Sequence, residues 1–267
     1  MAGNRSENTY QKINTIFMRD VNNIIMPYNN FVSPELEWLR NCKFDATEKI
    51  DGTNMRIEVS CKLIEGEMRM VVEYKGKSDE AQIPPHLYKF MVETFPKEKV
   101  LAALDLPEII LDLPEIITDS VLAEKNWGIP KYTIYGEGYG VKIQNGGNYI
   151  SNGVGFIIFD VKVNDWWLLR NNVAEIAEKL GAPMVPYMGQ FTIDEAIEFV
   201  RKGFKSTIAE NKEYLAEGLV LTSPYGIKNR KGERIIFKIK HNDFAKYKSY
   251  YGTDGPVEQI PRQIPEK

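Results

Sequence analysis

The ten residues Thr47-Glu-Lys-Ile-Asp-Gly-Thr-Asn-Met-Arg56 lie between two segments that have the pattern of strands. Lys49 in this stretch is followed by Ile50 and then by Asp51 and Gly52. A protonated lysine is a poor nucleophile, but burial and neighbouring cations can free its amine to attack a carbonyl or a phosphorus. The pattern Lys-x-Asp-Gly is too short to be specific by itself. A surface lysine that precedes a turn is therefore an equal alternative for this motif alone.

The segments around this motif predict an α+β protein with antiparallel sheets. Helices are predicted after Ser33-Pro34, after Pro84-Pro85, over about 172–181, and from a capping box of Thr192 and Glu195 to Gly203. The predicted strands do not alternate regularly with these helices, which argues against a parallel βαβ sheet. The predicted strands are 55–64, 68–74, 132–139, 156–163, 218–222 and 234–240.

Length and composition are those of an ordinary globular protein: 267 residues, 43% hydrophobic and 27% charged. We expect a single domain over residues 1–267, with a short proline-rich tail from about 250 to 267. We also expect no signal peptide or membrane span. Two cysteines and two histidines are too few for a disulfide framework or a zinc site, so we expect a cytoplasmic protein.

The net charge of −3 argues against nonspecific coating of nucleic acid. Residues 228–248, however, contain eight lysines or arginines and two acids. Such a basic segment can hold phosphates, although a solvated charged face is the alternative for each residue alone. A perfect tandem repeat, 104–110 followed by 111–117, predicts a peripheral insertion, because two copies are too few for a solenoid.

Five further elements follow Lys49 in the chain, mostly on predicted strands. The turn at 75–78 carries Lys77, and Glu137 lies among three glycines, where it could accept hydrogen bonds from a ribose. Phe159 could stack on a base, although a lone phenylalanine more often belongs to the core. Glu217 begins an apolar strand and is suited to a metal or lysine partner. The last element, Phe237-Lys-Ile-Lys240, alternates so that both of its lysines point from one face.

Taken together, these elements resemble the nucleotidyl motifs of covalent nucleotidyltransferases, which comprise ATP-dependent DNA ligases, RNA ligases and mRNA-capping guanylyltransferases. The motif-bearing strings are Lys49-Ile-Asp-Gly-Thr-Asn54, Gly136-Glu137-Gly138, Phe159-Asp160, Glu217-Gly218 and Lys238-Ile239-Lys240. Asn54, where DNA ligases usually have arginine, resembles the phage-type RNA ligases of the nick-sealing branch. The resemblance covers about residues 10 to 250 and implies antiparallel sheets that enclose an ATP groove, flanked by helices.

The resemblance also implies a role for each matching residue. Lys49 would attack the α-phosphorus of ATP and form lysyl-AMP, while Lys238 and Lys240 would bind the α-phosphate. Glu217 would help to place Mg²⁺ (or Mn²⁺) near Lys49. The nucleotide contacts implied or suggested by position are Glu48 on adenine, Phe159 stacked on adenine, Glu137 on the ribose, and Ile50, Asn54, Arg56 and Lys77 near the nucleotide.

One position departs from the family pattern. Similar ligases have arginine in the turn after the second strand, and here Lys77 is the nearest match. Because lysine lacks the bidentate fork of arginine, the contact of this turn with a phosphate or ribose is in question. Arg56 is the alternative residue for that contact, although strand pleating could direct it elsewhere.

The function implied is an ATP-dependent RNA ligase that joins 5′-phosphate and 3′-hydroxyl ends, including those of a nicked duplex. We expect no membrane association and no obligatory protein partner. A minimal DNA ligase and a capping-type guanylyltransferase are alternatives, and Asn54 and the short tail, which cannot form an oligonucleotide-binding barrel, argue against them. A non-catalytic nucleic-acid-binding module is the alternative from another class, and the intact set of motif residues argues against it.

Overall fold

The computed structural model describes residues 9–28, 30–110, 130–144 and 148–256. The elements in this part of the chain are β1 Asn14–Thr15, α1 Pro34–Trp38, β2 Phe44–Lys49, β3 Thr53–Ile64, β4 Glu67–Gly76, α2 Pro85–Thr94, α3 Lys97–Ala103, β5 Ile109–Ile110, β6 Tyr132–Gly140, β7 Val154–Val163, β8 Trp166–Trp167, α4 Arg170–Leu180, β9 Tyr187–Phe191, α5 Ile193–Lys202, β10 Gly218–Thr222, β11 Ile236–Lys240 and α6 His241–Tyr251. The predicted α+β class is confirmed. In this described part, no helix is both long and apolar enough to cross a membrane.

The chain divides into two compact units, each with one sheet. Unit 1 comprises Met1–Gln11, Ile50–Val185 and Ile208–Asn211, and unit 2 comprises Lys12–Lys49, Pro186–Thr207 and Lys212–Lys267. The boundary falls inside the opening motif, because Lys49 ends one segment of unit 2 and Ile50 begins a segment of unit 1. A single domain over the whole chain stays a prediction.

Unit 1 contains an antiparallel sheet in the order β5-β4-β3-β6-β7-β8. The predicted hairpin between β3 and β4 is confirmed: Ile64 pairs with Glu67, and Glu65 and Gly66 adopt positive φ values of 52° and 82°. One face of this sheet forms an apolar core with the helices, which includes Ile57, Ile134, Ile158, Leu87 and Met91. Its opposite face is left for polar side chains.

Unit 2 contains a sheet in the order β1-β11-β10-β2-β9, in which only the β1–β11 pair is parallel. Residues Phe44, Leu219 and Ile239 of its central strands are buried to 1% exposure or less, and they pack with Ile193 and Val200 of α5. The predicted capping box at Thr192 and Glu195 is confirmed. The apolar alternation of the strands therefore fixes one face inward and leaves the lysine-bearing face outward.

Some sequence predictions differ from the structure or lie outside it. Helix α4 begins at Arg170, earlier than the predicted 172, and ends at Gly181, whose φ is 61°. Strand β9 and helix α6 were not predicted: β9 contains Gly189 at φ 108° and pairs with β2 through a register shift, and α6 begins directly after β11 without a turn. The second copy of the tandem repeat (111–117) and the tail after residue 256 lie outside the described residues.

Candidate active site

Lys49, Glu217 and Lys240 of unit 2 form a cluster in which one carboxylate bonds two ammonium groups. Lys49 Nζ lies 2.5 Å from Glu217 Oε2, and Lys240 Nζ lies 2.5 Å from Glu217 Oε1. The side chains are 20%, 12% and 33% exposed in the order Lys49, Glu217 and Lys240. The three groups are thus partly desolvated, which strengthens their electrostatic interactions, and still reachable by a ligand.

The register of three adjacent strands creates this cluster. Gly218 on β10 pairs with Lys49 on β2 and with Lys240 on β11, so the two lysines flank the residue that follows Glu217. Gly218 has a φ of 153°, and a Cβ built there would lie 1.9 Å from the carbonyl oxygen of Ile239. Only glycine permits this backbone path, which places the Glu217 carboxylate between the lysines.

Lys238 lies on the same face of β11 as Lys240. The residues between and before them, Ile239 and Phe237, are 1% and 2% exposed and belong to the core of unit 2. Lys238 pairs with Val220, two residues along each strand from the Lys240–Gly218 pair. The predicted alternation of the two lysines is therefore borne out in the backbone, and it adds a third cation to the lysine face.

Glu48 lies on the buried face of β2, opposite to Lys49, and is 1% exposed. Its carboxylate accepts hydrogen bonds from Ser206 Oγ (2.5 Å), Thr207 N (2.9 Å) and Thr207 Oγ1 (2.7 Å). These bonds attach the segment at 206–207 to the strand that carries Lys49. In this arrangement the side chain of Glu48 has a structural role, and its contact with adenine stays a prediction.

Asn54 and Glu137 of unit 1 pair directly across β3 and β6, on the face of the sheet opposite to the apolar core. Asn54 Oδ1 is buried and has no hydrogen-bond partner among the described residues. Because an unpaired buried polar atom is unfavourable, this amide fits a site that a ligand completes. Gly136 and Gly138 face the core instead: a Cβ at either would lie within 2.5 Å of Phe156 or Leu87 side-chain carbons.

Arg56 lies on the same face of β3 but is fully buried, with a side-chain exposure of 0%. Its guanidinium donates to Glu58 Oε1 (2.6 Å), to the carbonyl oxygen of Gly76 (2.5 Å) and to Asp79. Lys75 donates to the other oxygen of Glu58 at 3.0 Å. The guanidinium is thus occupied by protein groups, which favours a positioning role for Arg56 over the direct nucleotide contact suggested by its place in the motif.

This network holds the turn that carries Lys77. Gly76 ends β4, Asp79 follows two residues after Lys77, and both accept hydrogen bonds from Arg56. Lys77 itself is exposed, and Ile50, another residue of the predicted nucleotide set, is 3% exposed. The two cations therefore differ in what they can contact. Arg56 supports the turn, and Lys77 is the cation presented to solvent.

Burial alone would raise the pKa of Glu58, but the hydrogen bonds and charges of Arg56 and Lys75 outweigh it and lower the pKa. For Lys75, burial acts to lower the pKa, and the carboxylates of Glu58, Glu73 and Asp79 together raise it. Both shifts favour the charged forms, so the pairs are expected to remain ionised at neutral pH.

Phe159 is half-buried on β7 and contacts Tyr10 edge-on, with the ring centroids 5.0 Å apart. Tyr10 also donates a hydrogen bond to the buried Asp160 (2.9 Å) and lies 5.4 Å from the ring of Trp167. The face of Phe159 turned away from Tyr10 is the one that could stack on a base. Its role as an adenine platform stays a prediction.

Metal binding rests on few protein ligands here. Within the described ranges, no group of three or more His, Cys, Asp or Glu residues is arranged to hold a metal ion. Mg²⁺ is commonly held by one or two carboxylates together with substrate phosphates. Glu217, which lies beside Lys49 and Lys240, fits that type of site.

Sequence reasoning did not identify Ser206, Thr207, Glu58 and Tyr10 as partners of the motif residues. The alternation Phe44, Ala46, Glu48 in β2 was an available signal that Glu48 faces inward. Ser206, Thr207 and Tyr10 lie between 150 and 159 positions along the chain from the residues that they bond, and no local pattern predicts such distant partners. Of the four, Glu58 alone is close in sequence to its partner, Arg56.

One strand face of this α+β fold thus carries the motif residues Lys49, Lys238 and Lys240, and Glu217 bonds two of them. A family model for RNA ligase matches residues 43–240, and the chain belongs to this family. The resemblance found in the motifs is thereby confirmed. A comparison with curated protein sequences gave no match.

Solved structures of an RNA ligase from Naegleria gruberi have a similar fold. The structure with PPi is 16% identical with a TM-score of 0.51, and the match covers 91% of this chain and 64% of that one. A mutant with ATP and Mn is 17% identical with a TM-score of 0.51, covering 89% and 64%. The chain thus spans less than two thirds of the length of these ligases, and at such identities the likeness shows the fold alone.

Proposed function

We propose that this protein is an ATP-dependent RNA ligase that acts through lysyl-AMP formed on Lys49. The observation that carries the proposal is the bonding of Lys49 and Lys240 to opposite oxygens of Glu217 at 2.5 Å. Membership in the RNA ligase family supports the reaction class, and the ATP and Mn of the Naegleria gruberi ligase structures support the cofactors.

In the first step, Lys49 leaves Glu217, releases a proton from its ammonium to solvent, and its amine then attacks the α-phosphorus of ATP. The bond to pyrophosphate breaks and a phosphoramidate forms. Lys240 and Lys238 stabilise the negative charge that develops on the phosphoryl oxygens. A divalent cation held by Glu217 and the phosphates would supply charge neutralisation in place of the Lys49 ammonium.

In the later steps, AMP passes from Lys49 to the 5′-phosphate of an RNA, and a 3′-hydroxyl then displaces AMP to form the phosphodiester. We propose Asn54 and Glu137 as contacts of the nucleotide sugar region, since they are register partners and Asn54 Oδ1 has no partner in the described chain. The contacts of Glu48, Ile50, Phe159 and Lys77 with the nucleotide, the nicked-duplex substrate and the cytoplasmic setting stay predictions.

Incubation with α-labelled ATP or GTP and magnesium, followed by denaturing electrophoresis, tests the first step. We expect an acid-labile label from ATP only, which pyrophosphate reverses. Joining assays with nicked RNA duplex, nicked DNA and free RNA ends then identify the substrate. Labelling from GTP would instead indicate a capping-type enzyme, and the absence of any label would contradict the proposal.

A further inference from the structure

Residues 223–235, here called the basic loop, connect β10 and β11 in unit 2, next to the strand that carries Lys240. Tyr225 at its beginning is 85% exposed, among the most exposed of the large hydrophobic side chains in the described chain. Its hydroxyl makes no hydrogen bond to another described residue. A planar ring presented to solvent in this way is a suitable surface for stacking.

Lys228, Arg230 and Lys231 of the basic loop are also exposed, and none of them forms an ion pair with another described residue. Exposed cations elsewhere in the described chain commonly do: Lys43 lies 2.6 Å from Glu195, and Lys205 lies 2.6 Å from Glu213. These three cations thus form a positive surface that no described carboxylate neutralises by pairing.

The basic loop has an internal framework of hydrogen bonds. Asn229 Oδ1 accepts hydrogen bonds from the backbone N–H groups of Lys231 (2.9 Å) and Glu233 (3.0 Å). Asn229 Nδ2 donates to the Glu233 carboxylate at 2.9 Å, so the one acid of the loop is engaged within it. Backbone bonds from Asn229 to Glu233 and from Ile235 to Ile227 close the hairpin. A preorganised loop loses less conformational entropy when it binds.

The positive charge of the basic loop also affects a neighbouring acidic residue. The pKa of Glu35, at the start of α1, is lowered mainly by a hydrogen bond from Ser33 and further by the charges of Arg230 and Lys231. Glu35 itself is bonded to Ser33, at 2.6 Å, and does not pair with the loop cations. The positive charge of the basic loop therefore acts on Glu35 in α1 without being neutralised by an ion pair with it. This charge remains available to an external anion.

We propose that the basic loop binds a single-stranded segment of the RNA substrate, with Tyr225 stacked on a base and Lys228, Arg230 and Lys231 on phosphates. Exposed aromatic rings among cations are the usual means of binding single strands. An acidic peptide would use the cations but has no need of the exposed ring. The proposal rests on the proposed function for the identity of the nucleic acid.

Fluorescence anisotropy with the full chain tests this loop directly. The probe is a labelled, 5′-phosphorylated single-stranded RNA of about 16 nucleotides, which covers the usual site sizes. The triple variant Lys228→Gln, Arg230→Gln, Lys231→Gln is compared with a control that removes three exposed lysines elsewhere, Lys89→Gln, Lys202→Gln, Lys246→Gln. Both variants change the net charge equally.

The loop variant is expected to bind the RNA at least about tenfold more weakly, with the slope of log K against log salt reduced by about 2. Tyr225→Leu is expected to weaken binding about tenfold, whereas Tyr225→Phe and Trp166→Leu remain near wild type. Equal affinities and slopes for the loop variant and the control would overturn the proposal, and so would an unchanged affinity of Tyr225→Leu together with an unchanged salt slope of the loop variant.

Labelling with ATP in the absence of RNA separates this result from the proposed function. The loop variants are expected to form lysyl-AMP at the wild-type level, which also shows that they are folded. If the wild type itself takes no label, the proposed function fails, and the anisotropy comparison still decides the role of the loop. Urea unfolding of the variants then replaces labelling as the check of folding.

Discussion

The two units each contain a carboxylate that bridges two cations, but the two clusters differ in burial and in the cations used. In unit 2, Glu217 bonds Lys49 and Lys240, whose side chains are 20% and 33% exposed. In unit 1, Glu58 bonds Arg56, which is 0% exposed, and Lys75. Arginine keeps its proton under all ordinary conditions, whereas lysine can lose it. The first arrangement suits chemistry at an amine, and the second suits the permanent support of a turn.

Similar patterns of ion pairs therefore have different consequences, depending on whether the cations remain accessible to a ligand. Removing a cation from a buried pair leaves an uncompensated charge and is strongly destabilising. Removing Lys49 leaves Glu217 still paired with Lys240. We therefore expect substitutions in the first cluster to affect activity and substitutions in the second to affect stability.

The largest expected effect is that of Lys49→Ala on adenylation. The variant lacks the amine that attacks phosphorus, so we expect no detectable label from α-labelled ATP. Its free energy of unfolding in urea should change by less than about 1 kcal/mol, because the cluster is partly exposed to solvent and Glu217 still pairs with Lys240. Lys75→Ala is the matched control from the other cluster and should retain the label. Full labelling of Lys49→Ala would remove the basis of the assignment.

Arg56→Ala is expected to lower the free energy of unfolding by about 3–5 kcal/mol, since Glu58 would stay buried beside one remaining cation. Urea denaturation measures this loss. The double variant Arg56→Met, Glu58→Met removes the charge together with its partner and should recover most of the stability. If Arg56→Ala is as stable as the wild type, the supporting role of this network is wrong.

Gly218→Ala is expected to cost about 2 kcal/mol of stability, because its Cβ would meet the Ile239 carbonyl oxygen at 1.9 Å. The backbone movement that relieves this clash would displace Glu217 and reduce the rate of adenylation. Gly226→Ala is the control, since Gly226 has a φ of 62° and open space around its Cβ position. Equal effects of the two variants on adenylation would argue against a special requirement at Gly218.

The smallest expected effect concerns pH. The lowered pKa of Glu58 stabilises the fold above its ordinary value of 4.5, and this contribution is lost as the pH falls through the folded pKa. Glu58→Gln should therefore weaken the acid dependence of the unfolding free energy by on the order of 1 kcal/mol. Glu213→Gln, at an exposed pair, is the control. A steeper acid dependence in Glu58→Gln would contradict the sign of this effect.

The sequence predicted the strands that carry the motifs because their apolar alternation is strong, and β10 agrees residue for residue with the prediction. The motif order identified Lys49, Glu217 and Lys240, and the strand register brings them together. The burial of Arg56 could not be predicted, because pleating gives the face of a side chain and not what covers it. The guanidinium donates hydrogen bonds to Gly76, at the end of β4, and to Asp79, in the turn that follows this strand.

Peptide mass spectrometry can locate the adenylyl group in the intact chain and so show directly which lysine is adenylated. After incubation with ATP and magnesium, we expect a mass increase of one adenylyl group on the peptide that contains Lys49. Addition of RNA with a 5′-phosphate should remove it. An adduct on Lys75 or Lys240 instead of Lys49, or the joining of RNA ends by the variant Lys49→Ala, would contradict the assignment of Lys49 as the adenylated residue.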